Sequence, residues 1–232
     1  MPRTALLVGA CCVALARAGA PQSRGDGAVG GARVSGRITM LEKGDKPSPD
    51  LGSAVVSLEG TGVAGAPTTT DIAINDKTFV PRVVVVPVGS TVRFPNHDPF
   101  DHNVFSANEP DPFDLGQYGR GDARQRTFAR PGLVRVFCNI HPRMVAFVQV
   151  MPNRFYAQPA VDGSFTIDDV PAGRYTLHVW HERSPEATAA LAVGAAGAAG
   201  LEVQLDARGF RWVPHKNKYG KDYPTSAGRE RY

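Results

Sequence analysis

Val136-Phe137-Cys138-Asn139-Ile140-His141-Pro142-Arg143-Met144 is the stretch whose reading decides the fold. It places a thiol, an imidazole and a thioether at C-x-x-H-x-x-M spacing. The run Leu133-Val134-Arg135-Val136-Phe137 predicts a strand that delivers Cys138, and Val145-Ala146-Phe147-Val148-Gln149-Val150 predicts the next strand. The three side chains therefore share one inter-strand loop. A second histidine stands upstream in Asp101-His102-Asn103-Val104-Phe105-Ser106, behind a loop at 98–101.

Farther out the same texture continues. Ile72-Ala73-Ile74-Asn75, the Val-rich run at 82–88 and Thr91-Val92-Arg93-Phe94-Pro95-Asn96 are β-branched segments between Gly and Pro breaks, and 124–128 alternates as a further strand. Residues 109–121 are polar and punctuated by Pro and Gly, which predicts a long surface loop. These segments make one β unit over 71–151. Strand patterns at 34–41 and 54–59 precede it, and others at 164–167, 174–182, 187–193 and 201–205 follow. No long amphipathic helix or repeat is evident, and 25 Gly with 19 Pro suit a turn-rich, all-β chain. With 232 residues, 42% of them hydrophobic, the chain can build one large or two small domains.

Residues 1–18 read as a secretory signal peptide. Arg3 precedes a short apolar run at 5–16, and Ala14-Leu15-Ala16 or Ala16-Arg17-Ala18 suits cleavage. Val8-Gly9-Ala10-Cys11 is a looser, lipobox-like alternative. Residues 19–32 form a Gly/Ala/Ser-rich flexible leader. The expected location is periplasmic or secreted. No membrane span is expected in the mature chain, because no apolar run reaches the roughly 20 residues that a spanning helix needs. Cleavage would remove Cys11 and Cys12 and leave Cys138 as the lone thiol, unable to form an internal disulfide and free to be a ligand.

The formal net charge is +4, but the tail at 208–232 holds seven Lys/Arg against two Asp/Glu. The basic pI therefore reflects the tail and not a basic binding face. Interleaved aromatic and basic residues are missing, so no nucleic-acid partner is expected.

One thiolate and two neutral imidazoles in a plane, with a weak axial thioether, form the donor set of a blue-copper electron-transfer site. Cys138, His102, His141 and Met144 supply that set. Copper(I) favours soft sulfur and copper(II) favours nitrogen, so a mixed set serves both states with little rearrangement. One mononuclear type 1 copper is the expected cofactor. Pro142 would stiffen the loop between the last two donors. A copper oxidase or nitrite reductase would need further His-rich motifs such as H-C-H, and a dinuclear purple site would need a second bridging cysteine. The sequence shows neither, and no catalysis by this chain alone is expected.

Residues 71–151 resemble a cupredoxin, the Greek-key β-sandwich of plastocyanin and amicyanin. The resemblance is carried by Asn75…Phe79-x-Pro81, the strand start Gly89-x-Thr91-Val92, His102-Asn103-Val104 and the Cys138-x-x-His141-x-x-Met144 loop, whose short spacing is most like amicyanin. It implies that Asn103 ties the two ligand segments together and that the ring edge of His141 is the electron port. The flanks at 33–70 and 152–207 resemble two parts of a carboxypeptidase-regulatory-like, transthyretin-like or immunoglobulin-like sandwich, through Ser35-Gly36-Arg37-Ile38…Ala54-Val55-Val56-Ser57-Leu58 and Asp162-Gly163-Ser164-Phe165-Thr166-Ile167…Val170-Pro171-Ala172-Gly173-Arg174-Tyr175-Thr176-Leu177. The expected architecture is a cupredoxin inserted in that second sandwich, whose short first part leaves its completeness open.

The remaining polar residues take plainer readings. His97 falls outside the family motif, His178 and His181 lie on opposite faces of one strand, and His215 belongs to the basic tail. Asp98, Asp101, Asp111 and Asp114 read as solvated loop carboxylates. The leading expectation is a periplasmic one-electron carrier serving a redox protein, with a c-type cytochrome or a periplasmic dehydrogenase as the family-level partner. The alternatives are a copper-binding or delivery protein, and a structural or adhesion module with a vestigial cupredoxin. The tail could dock an acidic partner or wrap the second sandwich through Phe210 and Trp212.

Overall fold

A computed structural model describes residues 31–107 and 112–223. The expected signal segment with Cys11 and Cys12, nearly all of the leader, Asp111 and the last residues of the tail lie outside the described residues. The strands are β1 (Ala32–Glu42), β2 (Lys46–Pro47), β3 (Val55–Gly60), β4 (Thr69–Asp71), β5 (Ala73–Asn75), β6 (Thr78–Val80), β7 (Val83–Pro87), β8 (Thr91–Pro95) and β9 (His102–Ser106). They continue with β10 (Phe113–Tyr118), β11 (Ala123–Thr127), β12 (Gly132–Cys138), β13 (Val145–Met151), β14 (Tyr156–Ala157), β15 (Ser164–Val170), β16 (Gly173–His181), β17 (Ser184–Val193) and β18 (Ala198–Asp206). The fold is all-β, with no helix among the described residues.

Strands β4 to β13 build a Greek-key sandwich. One sheet runs β10-β9-β12-β13-β7 and the other β11-β8-β4. β9 and β12 are neighbours although β10 and β11 lie between them in the chain, and β11 belongs to the opposite sheet; this is the Greek-key crossover. Alternation explains the filling. Val134, Val136 and Cys138 of β12 are fully buried, while Arg135 between them is exposed. They meet Val92 and Phe94 of β8 and Phe128 across one apolar core.

The flanking segments build a second sandwich, and each of its sheets draws on both flanks. β1 is the inner strand of one sheet, between β15 (antiparallel) and β18 (parallel). β3 is an inner strand of the other, between β14 and β16. Its core joins Ile38 and Leu58 from the first flank to Phe155, Leu177 and Leu205 from the second. The short first flank is therefore not a fragment; it supplies a central strand to each sheet.

The two sandwiches touch through a small apolar seam. Val55 of β3 packs with Val83 and Phe147, and the Phe147 ring meets Trp180 edge-on at 5.3 Å. The Arg82 guanidinium forks onto the Glu182 carboxylate and reaches the Val145 carbonyl at 3.3 Å. A two-toothed guanidinium–carboxylate contact fixes orientation as well as separation.

One expectation about local structure needs correction. Residues 109–121 are not one long loop, because β10 forms there and pairs with β9. Its polar composition hid two anchors: Phe113 packs against Phe94 and Phe128, and the buried Tyr118 donates its hydroxyl to the Phe94 carbonyl at 2.8 Å. Ahead of the expected β unit, residues 69–71 form a further strand, β4, which runs parallel to β8.

Three imidazoles, His102, His181 and His215, are pulled below the ordinary histidine pKa, chiefly by burial. His181 shows the cost of a second proton. Its Nδ1 accepts the Arg183 N–H at 3.1 Å and its Nε2–H donates to the Asp50 carbonyl at 3.1 Å, so the neutral ring is satisfied and a proton on Nδ1 would face another donor. A depressed folded-state pKa means that the unfolded chain binds more protons as the pH falls through about 6.5, so stability is complete above that value and is lost below it. The urea midpoint of the metal-free protein should fall between pH 7 and pH 5, and His181→Gln should flatten part of that slope. A midpoint independent of pH over this range would contradict the assignment.

Candidate metal centre

The site forms at one end of the Greek-key sandwich, where β9 begins and β12 stops. Cys138 is the last residue of β12 and pairs with Val104 of β9. His102 opens β9 two residues earlier, beyond the end of that pairing. The chain then turns back through His141-Pro142-Arg143-Met144. The Met144 N–H donates to the His141 carbonyl at 3.2 Å, which puts Pro142 at the second position of a turn, where its fixed φ belongs. The Cys138 N–H points at the Met144 carbonyl at 3.4 Å, closing the loop on itself.

This brings three of the four expected donors together. His102 Nδ1 and His141 Nδ1 are 3.2 Å apart, and each is 3.7 Å from Cys138 Sγ. They form the one three-residue metal-ligating cluster of His, Cys, Asp and Glu among the described residues. The point equidistant from the three atoms lies about 2.1 Å from each, against metal bonds of about 2.0–2.1 Å to imidazole nitrogen and about 2.3 Å to thiolate sulfur. The separations suit a first-row transition ion held by all three atoms. Met144 is buried in the same cluster as Cys138, while His141 is partly exposed. His97 is exposed and lies outside the triangle, and His178 and His181 sit on opposite faces of β16.

The electrostatics suit a neutral, desolvated donor set. Burial pulls His102 below the usual histidine value, although Asp98 opposes this, so its ring is neutral near pH 7. Its Nε2 is 2.8 Å from the Asp98 carboxylate, which places the ring proton there and turns the Nδ1 lone pair inward. Burial pushes the Cys138 thiol up, while backbone N–H groups of Asn103, Ile140 and His141 pull partly the other way. Those donors are ready for a thiolate, and metal binding would release the thiol proton.

Asp98 corrects the reading of a solvated loop carboxylate, for it is only 4% exposed. Burial alone would raise its pKa. The Lys77 N–H at 2.9 Å, His102 and the Asp76 N–H at 2.6 Å outweigh that and hold it below the ordinary value. Asp76 and Lys77 both have positive φ and form the two-residue turn of the β5–β6 hairpin, whose N–H groups point at the carboxylate. Asn96, 1% exposed, supports the other side: its Oδ1 accepts the Asp98 N–H, and its Nδ2 donates to the Phe100 and Tyr118 carbonyls. The usable signals were the Asn96-x-Asp98 spacing, which favours a side-chain turn, and the i, i+4 relation to His102.

Asn103 touches the other ligand segment through its backbone. Its backbone N–H serves the Cys138 sulfur, but its side-chain Nδ2 donates to Asp114 Oδ1 at 2.7 Å. Its Oδ1 is buried with no hydrogen-bond partner. Asp114, too, is therefore more than a solvated carboxylate.

No protein-family model and no curated protein matches the chain. Among solved structures it is similar to a copper-containing nitrite reductase from Thermus scotoductus SA-01, at 29% identity and TM-score 0.34 over 40% of this chain and 24% of that one. A reduced point mutant of amicyanin matches at 21% identity and TM-score 0.34, over 41% of this chain and 98% of amicyanin. A purple cupredoxin from Nitrosopumilus maritimus matches at 22% identity and TM-score 0.31, over 50% and 99%. The chain thus spans about a quarter of the nitrite reductase.

Asp98→Asn should weaken metal binding by about 10- to 100-fold, read by competition with a chromophoric chelator, because the His102 ring loses the group that orients it. Asp98→Ala should also lower the unfolding free energy of the metal-free protein by about 1–3 kcal/mol, since two buried N–H donors lose their acceptor. Unchanged metal affinity in both variants would remove Asp98 from the site.

Proposed function

We propose that this protein is an exported type 1 copper protein that carries single electrons between redox partners in the periplasm. One observation carries the reading: two imidazole nitrogens and a cysteine sulfur stand 3.2–3.7 Å apart around a point at bonding distance from all three. Copper held there supplies a one-electron couple between its cupric and cuprous states. His102, Cys138 and His141 would hold it, with Met144 as a weaker fourth donor.

The protein's own residues do the rest. Cys138 and His102 are fully buried, so water is kept from the sulfur and from one imidazole. The Asp98 contact and the Pro142 turn hold two donors in place whether or not metal is bound, which keeps rearrangement small when the charge changes. His141 is the donor that reaches the surface, beside Phe100, whose ring lies 5.8 Å from it. That edge is the proposed electron port for a c-type cytochrome or a periplasmic dehydrogenase. No substrate-activating role is assigned to the chain.

Copper added to the purified protein should produce an intense thiolate-to-copper absorption band in the visible and a reversible one-electron wave. Cys138→Ser should abolish the colour, and His102→Ala or His141→Ala should change or remove it. Colour retained in Cys138→Ser would sink the ligand assignment. Colourless copper binding by the wild type would favour delivery, and no binding would leave a structural sandwich.

A further inference from the structure

We propose that the tail at 210–223 is a built-in part of the metal centre, positioning the Cys138–Met144 loop against the His102 segment from behind. This rests on the reading of that centre as a copper site. The tail is pinned where it leaves β18: the Ala207 N–H donates to the Leu41 carbonyl at 2.8 Å, inside the second sandwich. It then crosses, without strand pairing, to the outer face of β9 and β12.

Phe105 and Phe137 lie side by side on that face, 5.8 Å apart, directly behind the inward-facing Cys138. His215 stacks on Phe137 at 4.4 Å and 24°, and meets Phe105 at 6.2 Å. A ring from the tail therefore covers the back of the strand that carries the sulfur. Farther along, Tyr223 donates its hydroxyl to the Cys138 carbonyl at 2.8 Å, and the Lys218 N–H donates to Asn139 Oδ1 at 2.9 Å. Two successive residues of the ligand loop thus take their outer hydrogen bonds from the tail.

The third contact closes a circuit. The Lys218 ammonium lies 2.6 Å from Asp114 Oδ2, and Asp114 Oδ1 accepts from the Asn103 side chain at 2.7 Å. Beside the direct contact of the Asn103 N–H with the Cys138 sulfur, a second path from His102 to Cys138 therefore runs through Asn103, Asp114, Lys218 and Asn139. The other end of the Asn103 amide is buried without a partner, so the side chain makes no direct bridge between the ligand segments. Lys218 and Tyr223 are positioning residues, acting on the donors through the loop backbone.

Full-length Tyr223→Phe and Lys218→Met, copper-loaded, test this beside Lys221→Met, which removes the same charge from the same segment. Loss of copper to a cuprous chelator should run about 3- to 10-fold faster in the first two, the range for one hydrogen bond lost, and at the wild-type rate in the third. The first two should also shift the reduction potential more than Lys221→Met does. By reciprocity, copper loading should slow amide hydrogen exchange at 215–223 in the wild type. In metal-free protein, exchange at 139–144 should quicken in Tyr223→Phe and Lys218→Met. A blue wild type whose variants keep copper equally long, with loop exchange unchanged, overturns the proposal. A wild type that takes up no copper overturns the copper reading instead, and the metal-free exchange then decides the role of the tail.

Discussion

The antiparallel pairing of β9 with β12 is the constraint on which the site depends. It sets Cys138 opposite Val104 and leaves His102 just beyond the paired segment, free to turn its ring toward the sulfur. A slip of one residue would turn Cys138 outward and Phe137 into the core, because side chains alternate across a strand. The inward residues Val134 and Val136 oppose that slip, since both are fully buried in the same core as Val104. The geometry of the donors is thus held by apolar packing several residues away.

Around this frame polar groups serve orientation. Burying Asp98 is unfavourable unless donors surround it, and here two turn N–H groups and an imidazole do so. The carboxylate in turn settles which His102 nitrogen faces Cys138. Asn96 plays the same part for the backbone of that loop. Removing one member would leave buried groups unpaired, so these contacts act as a set.

The second sandwich has a physical connection to the site. It docks through the Phe147–Trp180 seam and the Arg82–Glu182 pair, and its last strand launches the tail that reaches Lys218 and Tyr223 behind the ligand loop. The basic character of the tail, which suggested a docking segment for an acidic partner, is partly used within the molecule, as Lys218 meets Asp114 and Arg208 pairs with Asp45 and Asp206.

What the sequence by itself determined follows from short-range patterns. Alternation in β8, β12 and β16 is a two-residue period, β13 is a short apolar run, and C-x-x-H-x-x-M is a seven-residue word, so these strands and the ligand loop were legible in the sequence. His102 was legible because its flanking residues resemble a known motif. Strand β10, with its polar composition, was not, because Phe113 and Tyr118 show their worth only against Phe94 and Phe128. Only the tertiary structure decided the closing of the second sandwich from its two flanks, the burial of Asp98 and the path of the tail. Each rests on contacts between distant parts of the chain, such as Leu58 with Leu177, Asp98 with the Asp76–Lys77 turn, or Tyr223 with Cys138. The burial and hydrogen bonding of a polar side chain depend on which distant backbone arrives beside it, and no local pattern of residues encodes that arrival.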